Sequence, residues 1–159
     1  MISWFLRQKP FVLFLMLCNY WIISLIAPLT TIIIDEQILD ALYLINAEVL
    51  LFWLYSIITF IHHQLHQVAV QHSLFKVARF LLIVLGGGLI LNFILNDNQV
   101  LALILILIYL FVIYVVSYAL VKGENKFMNY DAFLGKTMIL FLIYPVGLFF
   151  IQPRLKKIL

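Results

Sequence analysis

The chain alternates long apolar runs with short polar turns, and five such runs stand out. The first extends from Phe11 to Ile34 and is interrupted by Asn19, Ser24, Pro28 and the Thr30 and Thr31 pair; Asp35, Glu36 and Asp40 follow it. The second runs from Ala41 to Ile61 and contains Asn46 and Glu48, and the third spans Val77 to Leu95 around Gly86, Gly87 and Gly88. A tight Asn96-Asp97-Asn98 turn leads to the fourth, Val100 to Val121. The fifth, Phe133 to Ile151, is interrupted by Lys136, Pro145 and Gly147. The first, second and fourth runs reach the ~20 residues that cross the hydrocarbon core of a bilayer, and the third reaches the lower limit. Barrel strands are about half that length and alternate in polarity, which these runs do not. A backbone in lipid must satisfy its own hydrogen bonds, so the runs predict helices. The expected fold is an all-α, polytopic transmembrane bundle with residues 1–159 as a single membrane domain. It has four spans plus a fifth C-terminal segment that either spans or re-enters.

Composition strengthens this reading. The 159 residues are 66% hydrophobic and 11% charged, with a mean hydropathy of +1.15. Soluble domains carry about 25% charged residues, and a domain this small cannot hide such an apolar excess from water. The expected location is a bacterial cytoplasmic (inner) membrane, with the lipid bilayer as the first partner. The net charge of +3 does not point to nucleic acid, because the basic residues form no stripe and sit at helix ends. The single cysteine, Cys18, excludes an internal disulfide and any cysteine metal cluster. Arg7 and Lys9 before an apolar run resemble a signal peptide. However, Phe11 to Ile34 exceeds the roughly 7–15-residue core of such a peptide, so it reads as a retained helix.

The basic residues set the orientation. Arg7 and Lys9 precede helix 1, Lys76 and Arg79 lie between helices 2 and 3, and Lys122, Lys126 and Lys136 surround the loop after helix 4. The two alternate turns are acidic and carry no Lys or Arg, so the N-terminus is expected to be cytoplasmic. The fifth segment breaks the pattern. If it spans, Arg154, Lys156 and Lys157 emerge on the outer side; if it enters and returns, they stay inside. Pro145 and Gly147 supply a natural break for a return.

Candidate chemistry is sparse. His62, His63, His66 and His72 fall in one segment, and His62 and His66 lie one turn apart on a helix, where they could share a metal. Haem or di-iron sites draw ligands from several facing segments, so a polar continuation of helix 2 is the favoured reading and no cofactor is expected. Glu48 is the sharpest single residue, about seven positions into helix 2, hence ~10 Å below the outer surface. An acid there faces protein or water. It either contacts an ion or proton path, or makes a structural hydrogen bond to Asn19, Asn92 or the backbone; Asn46 is close in sequence but on another face. Gly86, Gly87 and Gly88 read as a helix-packing element. No nucleophile stands beside a base.

The C-terminal stretch Tyr144-Pro-Val-Gly-Leu-Phe-Phe-Ile-Gln-Pro-Arg154 resembles the ending of a loose group of small bacterial membrane proteins. These share a Pro-x-Gly, then aromatics, then Ile-Gln-Pro-Arg/Lys, here Pro145, Gly147, Gln152, Pro153 and Arg154. Asp131 and Gly135 approximate an upstream Asp-x-x-Gly with one extra residue, and Leu51-Phe52-Trp53 and Phe75-Lys76 are also similar. The resemblance covers the last third of the chain well and the rest weakly. It implies a membrane location and brings no activity with it. From the residues themselves, Pro153 is expected to stop the last helix and Arg154 to anchor at phosphates.

Three functions follow as expectations. The leading one is a non-enzymatic membrane subunit or scaffold that acts through helix packing with itself, as a homo-oligomer, or with a membrane-protein partner. The second is a homo-oligomeric channel or membrane-permeabilising effector with Glu48 and the asparagines along the path. The third is a membrane redox or metal-dependent enzyme using the histidine segment.

Overall fold

The structure is a computed structural model and describes residues 6, 8, 10–26, 36–64, 72–95, 98–128, 133–144 and 146–158. For residues 10, 17–21, 24, 36, 37, 64, 72 and 126–128 it describes the backbone alone. Six helices account for most of these residues: α1 (Pro10–Ile26), α2 (Glu36–Gln64), α3 (His72–Ile94), α4 (Gln99–Met128), α5 (Leu134–Leu142) and α6 (Leu148–Ile158). Among the described residues there is no strand. Three helices contain stretches long and apolar enough to cross a membrane: Ile38–His63, Ser73–Ile94 and Gln99–Asn125. Helix α1 has 17 described residues; the remainder of the expected first run, 27–34, lies outside the described residues.

The helices outrun the apolar patches from which they were expected. Helix α2 begins at Glu36 rather than Ala41, α3 begins at His72 rather than Val77, and α4 continues to Met128 rather than ending at Val121. An apolar run ends where water begins, but the backbone ladder does not, and Glu, Gln and Lys are good helix formers. Lys122 and Glu124, expected in a loop, are therefore helical, and the Lys122 ammonium lies 5.2 Å from the centre of the Tyr118 ring. At the other end of α4, Asn98 caps the helix. Its Oδ1 accepts the backbone N–H groups of Val100 and Leu101, both at 3.1 Å, satisfying donors that the first turn cannot.

Helix α2 is central and packs on α1, α3 and α4; α3 packs on α2 and α4. The pairs run antiparallel. Glu48 lies sixteen residues before the end of α2 and meets Gly86, fourteen residues after the start of α3. Gly88 meets Leu105, each six residues from the α3–α4 turn. The core concentrates toward the end of the bundle that holds Ile61, Phe75 and Leu120. The other halves of α3 and α4 present Ile90, Leu91, Phe93, Leu103, Ile106 and Leu107 outward.

The fifth apolar run is not one helix. It is two short ones, of 9 and 11 residues, folded against each other. Each is about 14–17 Å long, well short of a hydrocarbon core. The chain reverses at Ile143–Gly147, where the Gly147 backbone lies so close on the Leu140 carbonyl that no side chain fits between them. The α5–α6 hairpin packs on α4 through both arms and on α1 through α6. Its turn side reaches inward, with Phe141 tilted against Trp53 of α2 at 5.8 Å and Phe149 against Phe14 of α1 at 5.3 Å. Pro153, expected to end the last helix, lies inside α6. It has no N–H for the Phe149 carbonyl one turn earlier, but the helix continues because Leu155 and Ile158 remain anchored in the core.

Candidate functional site

Two polar arrangements stand out from this apolar structure. The first lies at the open ends of the hairpin. Glu124, in the last turns of α4, has a side chain only 3% exposed, and Arg154 of α6 grips it with a two-pronged fork: Nε donates to Oε1 at 2.6 Å and Nη2 to Oε2 at 2.5 Å. The same Nη2 donates to the Thr137 hydroxyl at 3.0 Å, and that hydroxyl donates to the Phe133 carbonyl at 3.2 Å. Two parallel, charge-assisted bonds are the strongest geometry an arginine offers a carboxylate. Arg154 was expected at lipid phosphates; its fork is instead taken by an internal carboxylate.

Two residues earlier on α6, the buried Gln152 amide reaches the start of the chain. Its Nε2 donates to the Leu6 carbonyl and, at 3.3 Å, to the Gln8 carbonyl. The hairpin therefore joins the start of the chain to the end of α4, two regions whose helices have no direct interface. Nearby, Gly123 leaves room for Ile61 of α2 and Ile158 of α6, each within 4 Å of where a side chain would begin. His62, on the next residue of α2, is buried with its ring 5.3 Å from Phe75.

The second arrangement is the α2–α3 seam at Glu48. With α2 beginning at Glu36, Glu48 is twelve residues in and close to the middle of the helix. Its carboxylate lies over Gly86: a β-carbon there would sit 2.9 Å from Oε2 and 3.3 Å from Oε1. Oε1 is buried and has no hydrogen-bond partner among the described residues. The three glycines thus have three surroundings. Gly86 receives Glu48, Gly88 receives the Leu105 side chain from α4, and Gly87 has nothing within 4 Å.

The other polar positions are scattered. Asn46 is buried and donates from Nδ2 to the Leu42 carbonyl at 2.9 Å, and Asn92 is partly buried on α3. His63 is exposed beside buried His62. The side chains of Asn19 and His72, and all of His66 and Pro145, lie outside what is described. Among the described residues no three His, Cys, Asp or Glu side chains gather as a metal would require.

Chemically, the Glu124 cluster is closed. Both carboxylate oxygens accept from Arg154, and the Thr137 hydroxyl has its proton on a backbone carbonyl. The cluster holds α4, α5 and α6 together. Sequence reading missed Glu124 because it lay in an apparent loop, thirty residues from its partner. The chain matches no family model, no curated protein and no solved structure.

Proposed function

We propose that this chain is a non-enzymatic integral membrane protein of a bacterial cytoplasmic membrane, acting as a subunit that assembles through helix packing, first of all with a second copy of itself. It crosses the bilayer four times with its N-terminus inside, and the α5–α6 hairpin enters from the inner side and returns. Such a return places Arg154, Lys156 and Lys157 beside the other basic residues, in keeping with the inward bias of Lys and Arg.

The observation that carries the assembly reading is Gly87. It sits at the centre of an exposed α3 stripe of Phe80, Ile83, Val84, Ile90, Leu91 and Ile94, with open space above it. Lipid tails are as apolar as these side chains, so association in a membrane depends on close backbone approach, which a glycine in a flat stripe permits.

The test is oxidative trapping in native membranes with Gly87→Cys in a Cys18→Ser background. A covalent dimer at Gly87→Cys, with Leu103→Cys on the exposed face of α4 remaining monomeric, supports the reading. A monomer at Gly87→Cys, with the wild-type chain also monomeric in lipid nanodiscs, contradicts it.

A second reading, an oligomeric conducting path lined by Glu48, draws on the unpartnered Oε1 at the helix centre. Cation flux into liposomes that falls in Glu48→Gln supports it, and wild-type liposomes without flux exclude it.

A further inference from the structure

Among the described residues, Glu48 is the carboxylate nearest the middle of a long apolar helix. On α2 its acidic companions, Glu36 and Asp40, lie at the helix start. Among the described residues the seam around it offers no cation. On α3, Arg79 and Lys76 precede Gly86 by seven and ten residues, about 10 and 15 Å along the axis. On α4, Tyr109 is the titratable residue nearest that level, counting from the Gly88–Leu105 contact, and on α1 the titratable residues are Cys18 and Tyr20. The two cations are held away from Glu48 by that distance, and a phenol or a thiol is not a base that would hold an ion pair with it. A carboxylate within an apolar helix is costly to hold as an ion, and an ion in an apolar setting neutralises where it can. Gly86 gives the carboxyl oxygens room, and among the described residues no donor is directed at Oε1.

From the Gly86 notch and the buried, unpartnered oxygen, we propose that Glu48 is a proton-binding site, held as a neutral carboxylic acid in the α2–α3 seam and open to hydrophobic carbodiimides. The site holds whether or not the chain conducts or self-associates. The chemistry is an addition. A carboxyl oxygen of Glu48 bonds to the central carbon of the carbodiimide, the acid proton moves to one of its nitrogens, and one C=N bond becomes single. Shielded from water, the O-acylisourea rearranges to a stable N-acylurea; nothing leaves and nothing is oxidised or reduced. A carboxylate without its proton does not enter this sequence, so the reagent reads the protonation state.

The experiment treats the wild-type protein in membranes with dicyclohexylcarbodiimide at neutral pH and maps the adduct by peptide mass spectrometry. The expected result is stoichiometric modification at Glu48 with little at Asp40 or Glu124, slowing as pH rises and absent with a water-soluble carbodiimide. Gly86→Ala, whose new methyl displaces the carboxyl, changes the rate several-fold, whereas Leu103→Ala, on the exposed face of α4, leaves it unchanged. No adduct at Glu48, labelling no greater than at exposed Asp40, or equal rates in Gly86→Ala and wild type would each overturn the proposal.

Discussion

Arg154 holds Glu124 through two parallel hydrogen bonds across thirty residues of chain, and with Thr137 the pair gathers the end of α4, the start of α5 and the middle of α6 at one place. Because Thr137 lies near the start of the fifth apolar run and Arg154 just beyond its end, this contact requires that run to fold back on itself. Removing one partner strands the other in an apolar setting, at a cost of about 3–5 kcal/mol. Arg154→Met is expected to lose that much in detergent unfolding. Glu124→Leu combined with Arg154→Met recovers most of it, since two well-packed apolar residues are a tolerable substitute for a buried pair. Arg154→Lys falls between them, because an ammonium has no planar fork. A double variant no more stable than the single one would show that the contact is incidental.

The glycines rank by what a methyl group would meet. At Gly147 it would meet the Leu140 backbone carbonyl, which cannot move without opening the hairpin turn. At Gly88 it would come within 2.5 Å of Leu105 Cδ2 in a buried contact, and at Gly87 it would meet nothing. Overpacking costs about 1–3 kcal/mol and occasionally more, so Gly88→Ala is expected in that range and Gly147→Ala at or above its top. Gly87→Ala gains up to about 1 kcal/mol from helix propensity within a single copy. Thermal unfolding of the three variants checks the order. A Gly147→Ala protein as stable as wild type would mean that the turn does not need its close approach.

The helical class was readable because apolar runs of span length admit no other backbone in lipid, and Glu48 and the glycine triplet were visible as departures from that pattern. Their pairing was not, since nothing in the order of residues aligns position 48 with 86. The α2 boundary was misplaced for a related reason: polarity marks where water begins, while Glu36 and Asp40 continue the helix into it. Arg154 looked like a phosphate anchor because its carboxylate partner lay in an apparent loop, and Pro153 looked like a stop because α6 is held by Leu155 and Ile158 rather than by its own ladder.

The most direct test of four crossings and a return is whether the end of the last run emerges on the side opposite the α3–α4 turn. Single cysteines at Asn98 and Lys157, each in a Cys18→Ser background, are exposed to an impermeant maleimide in intact spheroplasts and again after lysis. Four crossings with an inner hairpin predict that Asn98→Cys reacts before lysis and Lys157→Cys only after it. Reaction of Lys157→Cys in intact spheroplasts, at the rate of Asn98→Cys, would mean that the last segment crosses the bilayer and would contradict the account.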